Sequence, residues 1–149
     1  MRKYRFPFDT VQRVRVLVRD EQRQRLADAF RAEEIIERQH QQLSDELAEL
    51  QNQQRSAMKR RDVDVNELLA GQRYEFVIKA QQQMVEQQSA KLAEEVERRR
   101  QSLVEAERDV QVMEKLDTRL RAAHRVNEQR VETKQLDEIA QQRAASRRR

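Results

Sequence analysis

The chain has 149 residues; 39% are charged, 4% are aromatic, and there is no cysteine, one glycine and one proline. Disulfides, zinc–thiolate sites and thiol nucleophiles are excluded by this composition. An apolar share of 37% with so little aromatic bulk suits a narrow seam rather than a wide core. The net charge of +4 is uneven: residues 1–25 hold eight basic and three acidic side chains, residues 141–149 hold four arginines and no acid, and the body between is mildly acidic. No apolar run is long enough to span a bilayer, and the N-terminus lacks the apolar stretch of a signal peptide. A cytoplasmic protein is the expectation.

Phe6-Pro7-Phe8-Asp9-Thr10 opens the first segment. Pro7 stops a helix from running through from the N-terminus, and Asp9 or Thr10 can cap the helix that follows. That first helix is predicted over about 9–61. Ala29, Glu33, Ile36, His40, Leu43, Leu47, Leu50, Gln54 and Ala57 step alternately by four and three, which is heptad spacing. Upstream, Val11, Val14 and Val18 are expected to continue the stripe through a stutter near Gln22–Leu26. The seam uses internally the apolar face that contact with a membrane would need, so membrane insertion is not expected, which leaves electrostatic contact open.

Residues 62–66, Asp-Val-Asp-Val-Asn, are rich in side chains that compete with helical backbone bonding and predict a turn. Asp64 with Glu67 resembles a capping box. A second helix follows over about 65–143, with a basic tail at 144–149. Gly71 weakens its first turns. Val85, Leu92, Val96, Leu103, Ala106, Val110 and Met113 mark its seam; Leu116, Leu120 and Ala123 carry it on after a one-residue shift in phase. The fold class is all-α: two long helices in one antiparallel coiled-coil hairpin, the second helix longer. At 1.5 Å per residue the helices measure about 75 Å and about 120 Å. Residue 9 then falls near residue 117, and everything after about Leu120 overhangs. Val126, Val131, Leu136 and Ile139 lie in that overhang and need another protein to bury them.

Catalytic chemistry needs positioned groups in a pocket, and two paired helices offer none, so a non-enzymatic role is expected. Glu37-Arg38-Gln39-His40 matches the Glu-x-x-His of di-iron bundles. His124 has Arg121 where the second Glu would stand, so both histidines read as semi-polar seam positions and no metal or other cofactor is expected. Arg147-Arg148-Arg149 has no interleaved aromatic and reads as a solvated tail rather than a nucleic-acid site. One cluster departs from the seam pattern. Tyr74, Phe76, Val77 and Ile78 crowd the start of the second helix. Val77, Gln81, Met84 and Gln88 share one stripe beside the seam. The stripe is either a thickened core near the turn or a partner-binding patch.

Three features resemble the flagellar export protein family FliJ: Phe6-x-Phe8-x-x-Val11 before a charged helix, Tyr74 with its apolar cluster and then Val85-x-x-Gln88-x-x-x-Leu92, and Lys134-Gln135-Leu136-Asp137-Glu138-Ile139-Ala140 near the C-terminus. Thr133 stands where the family often has Gln. The resemblance implies a non-enzymatic stalk-like coiled coil of the flagellar type III export apparatus, at the inner face of the cell membrane and peripheral to it only through partners. It implies contact of Val77, Gln81, Met84 and Gln88 with the cytosolic domain of the export gate protein. It also implies that the end bearing Phe6, Phe8, Val131, Leu136, Ile139 and Arg143 enters a hexameric export ATPase, and that export chaperones are further partners. Stalk proteins of injectisome secretion systems are the near alternative. A nucleic-acid-associated coiled coil is the alternative from another class, recognisable by steep salt dependence.

Overall fold

The computed structural model describes residues 3–146. The described residues form two helices and no strand: α1, Asp9–Met58, and α2, Val65–Ser146. They have 50 and 82 residues and pack against each other. The all-α reading with a longer second helix is what the structure has. α1 ends three residues earlier than expected, and α2 runs on to Ser146.

The ends have local causes. The Gln12 amide donates to the Phe8 carbonyl at 2.9 Å, so the helix begins directly after the Pro7 segment. Asp9 is already inside the first turn, where its carboxylate pairs with Arg13 at 2.7 Å. At the start of α2, Asp64 Oδ1 accepts from the Asn66 amide at 2.9 Å and its carbonyl from the Leu68 amide at 3.2 Å. Asp64 thus caps α2.

The chain divides into two compact units. One comprises Glu21–Leu103 and contains the turn. In it, Gln51 Nε2 donates to Glu75 Oε1 at 3.4 Å, and Arg99 Nη1 donates to the Arg25 carbonyl at 2.5 Å. Moving back along α1 therefore means moving forward along α2, which is antiparallel pairing. Ala29 and Ala57 from α1, with Ile78, Val85 and Val96 from α2, are buried; Ile78 is only 1% exposed. Every α1 seam position from Ala29 to Ala57 is buried or half-buried. Two carboxyls support this unit. Lys79, then Gln51, holds Glu75 below the usual carboxylate range, and hydrogen bonding from Arg99 does the same for Glu95.

Gly71 also has its reason here. A Cβ on it would lie 2.8 Å from Gln54 Nε2, so the missing side chain admits the Gln54 amide. That nitrogen is buried without a hydrogen-bond partner.

The other unit comprises the residues up to Asp20 with those from Val104 on. Arg15 pairs with Asp109, and the Tyr4 hydroxyl donates to Asp117 Oδ1 at 2.9 Å, so the pairing is antiparallel here too. Ala106, Val110 and Met113 are buried, and half-buried Asp117, Leu120 and His124 extend the same three-four spacing. The expected phase shift is absent: Leu116 is half-buried beside this row, but Ala123 is exposed.

The larger correction concerns α1. Its inward side carries Asp9, Gln12, Val16 and Arg19, while Val11, Val14, Leu17 and Val18 face outward. The inward row continues through Gln22 and Leu26. Two consecutive steps of three make this a stammer, not a stutter. An insertion of three leaves the valines on the far side; an insertion of four would have been needed to bring them in.

The buried methylenes of Ile78 and the orphaned amide of Gln54 give opposite expectations. Ile78→Ala should lower stability by about 2–5 kcal/mol through lost burial and a cavity. Gln54→Leu should raise it by about 1 kcal/mol or more, because an unpaired buried amide is removed. Urea denaturation followed by circular dichroism checks both; a lower midpoint for Gln54→Leu would mean that the amide is satisfied.

Candidate partner-binding surfaces

Three surfaces bear on the expected functional residues. The first is the stripe on α2. Val77, Gln81, Met84 and Gln88 are all exposed, Met84 at 61%, while Ile78 and Val85 beside them are buried. The thickened-core reading of the stripe fails. Gln81, Met84 and Gln88 form one wall of a groove of about 280 Å³. Gln39, Gln42, Leu43 and Glu46 of α1 form the other wall, and Val85 lies at its base. Sequence reasoning missed the α1 wall. Periodicity along one helix names a face but not its neighbour, and the neighbour follows only from the register of the two helices. Phe76 is exposed on the outer side of α2 and belongs to neither seam nor groove.

The second surface is the N-terminal segment, which does not end at Pro7 but lies along α2. Tyr4 is its anchor. Both oxygens of Asp117 are engaged, one by the Tyr4 hydroxyl and the other by Arg121 at 3.0 Å. The same guanidinium sits over the Tyr4 ring at 5.5 Å, a cation–π geometry. His124 meets the ring edge-on at 5.5 Å and lies 3.9 Å from Glu128. Lys3 and Tyr4 line a cleft with His124, Arg125, Glu128, Gln129 and Glu132. Phe6 is half-buried and stacks edge-to-face on exposed Phe8 at 5.9 Å.

This segment moves the start of the overhang. α2 stays partly covered as far as Glu128, not Leu120, because Lys3 and Tyr4 lie against it. The third surface is what remains: every described residue from Gln129 to Ser146 is exposed. Leu136, Ile139 and Arg143, at i, i+3 and i+7, share one helix face. Val131 stands about a third of a turn away at 3.6 residues per turn. The structure therefore brings three of the four expected C-terminal residues together and leaves Val131 apart. Arg147, Arg148 and Arg149 lie outside the described residues. His40 and His124 belong to no group able to hold a metal ion among those described.

The Tyr4 anchor has a pH signature. Partial burial first, and then the hydrogen bond and charge of Asp117, push its phenol above the usual tyrosine value, with Arg121 opposing. A raised folded-state pKa means the contact is fully present below the usual value of about 10 and is lost as pH rises through the folded value. In a Tyr74→Phe background, an ultraviolet difference titration should show Tyr4 ionising later than free tyrosine. Asp117→Asn should bring that midpoint back toward the usual value; an unshifted wild-type titration would refute the anchor.

A family model described as "Flagellar FliJ protein" matches residues 4–149. No curated protein matches the chain. No solved structure matches it either. The match begins at the Tyr4 anchor and covers both helices, the exposed stripe and the uncovered end of α2. By that match over essentially its whole length, this chain belongs to the FliJ family of flagellar proteins.

Proposed function

We propose that the chain is the stalk-like coiled coil of the flagellar export apparatus, engaging the export gate protein through the α2 stripe and the hexameric export ATPase through the uncovered end of α2. Its family gives it a flagellar export-related role; the division of labour between the two surfaces is the proposal. The observation that carries it is the run of exposed apolar residues with no partner among the described residues. Leu136 is 66% exposed, and Ile139 and Val131 are about half exposed, on a stretch of α2 that none of the described residues covers. Leaving such side chains in water forgoes about 1.5 kcal/mol or more apiece, which a partner enclosing the helix recovers. A ring pore suits a single helix because several subunits can surround it.

The stripe supports the second contact. A helical partner laid against it would place apolar side chains over Met84 and Val77. The glutamines on both walls would supply hydrogen bonds at the rim, as in most interfaces. The basic termini and the acidic body also allow electrostatic steering of the encounter, an effect that salt weakens.

Two variants separate these roles. Val77→Asp with Met84→Asp should abolish binding to the gate protein's cytosolic domain while helicity stays at the wild-type level, since both side chains face solvent. Removing residues 129–149 should abolish stimulation of the ATPase and leave the hairpin folded. Binding is read by titration calorimetry and stimulation by phosphate release. Full stimulation by the truncated chain would sink the stalk assignment.

A further inference from the structure

We propose that the outward face of α1 made by Val11, Val14, Leu17 and Val18 is a docking surface for an anionic lipid bilayer. All four side chains are exposed, Val14 at 54% and Leu17 at 67%. At about 100° per residue they share with exposed Thr10 one arc of roughly 120° directly opposite the seam row of Asp9, Gln12, Val16 and Arg19. The seam therefore does not use this apolar face. Arg13 and Arg15 stand on the two shoulders of the arc, one on each side. An apolar arc with arginines on its flanks is the pattern of helices that lie in the headgroup region. There, long basic side chains reach phosphates while the aliphatic groups enter the acyl boundary.

The charge argues for lipid over other occupants. Residues 1–25 carry eight basic and three acidic side chains, so an anionic surface meets a net attraction. Arg13 and Arg15 are paired with Asp9 and Asp109. These pairs are exposed, and such pairs contribute little, so exchange for headgroup phosphate carries a small cost. A second copy of the chain is a poor occupant, because a two-fold contact through this face sets arginine shoulders against arginine shoulders. The outward face of α2 in the same unit is not comparable: Arg108 separates exposed Val104 from exposed Val112, and Lys115 follows on the same side. The apolar arc belongs to α1 alone, and its span of about 10 Å suits shallow, reversible association.

The chain has no tryptophan, so Leu17→Trp places a single reporter in the arc. With phosphatidylglycerol-rich vesicles its emission should shift to the blue, and the full-length protein should float with the vesicles at low salt. Phosphatidylcholine vesicles should give neither effect, and added salt should weaken both. Val14→Asp with Leu17→Asp should lower partitioning at least about tenfold with unchanged helicity, and Arg13→Gln with Arg15→Gln should also weaken it. An unshifted tryptophan would overturn the proposal. So would undiminished flotation of the aspartate variant, which would assign binding to the basic termini alone. Loss of helicity in that variant would overturn it by making the arc core. Self-association that the variant abolishes would give the face to a second copy instead.

Discussion

Two helices packed against each other bury one stripe apiece, and each stripe recurs every three or four residues. There is no third layer to take up an apolar side chain that misses the seam. Which side chains enter the seam is set by the three-four row along each helix, and polar side chains on that row are taken in with apolar ones. In α1 the strongest stretch runs from Leu26 to Ala57. In the residues before it, hydropathy does not decide which side faces α2. Gln12 and Arg19 therefore face α2 while three valines and a leucine face water. Both the exposed stripe of α2 and the outward arc of α1 follow from this narrowness.

Much of this was legible in the sequence. Two helices, the turn between them, the Asp64 cap and the α1 seam from Ala29 to Ala57 follow from spacing and from turn chemistry. Three things were not legible. The phase of the first α1 turns was misassigned, because the valines carry the stronger hydropathy and only the packed helix shows which side they occupy. The α1 wall of the groove needed the register. The docking of Tyr4 needed a contact across more than a hundred residues between an aromatic and an Asp–Arg pair, which no local pattern encodes. The exposed residues of the stripe were identifiable because they lie beside the seam row, and those of the C-terminal end because α2 outlasts its partner helix.

The N-terminal segment changes what the end of α2 presents. With Tyr4 held by Asp117, Arg121 and His124, the seam's last polar positions are covered, and the exposed stretch begins cleanly at Gln129. Leu136, Ile139 and Arg143 then form a face combining two aliphatic side chains with a cation. Such a face can select a partner that offers an apolar surface bordered by acid. Val131, a third of a turn away, would meet a different part of any partner that surrounds the helix, as the wall of a ring does and a flat surface does not.

The notch at Gly71 bears on a separate matter, the uniqueness of the pairing. Heptad seams are nearly self-similar, so one helix can slide by seven residues along the other and still bury aliphatic side chains. Here the slide is discriminated against. Gln54 occupies the space left by the missing side chain of Gly71, and a slip of one heptad would set it against Ile78, where no such space exists. The unpaired amide is unfavourable even in the observed alignment; in the slipped one, steric overlap would add to that cost. A residue that weakens the native pairing can still widen the gap to its competitors. Glycine and glutamine together act as a vernier that tells this alignment from its neighbours.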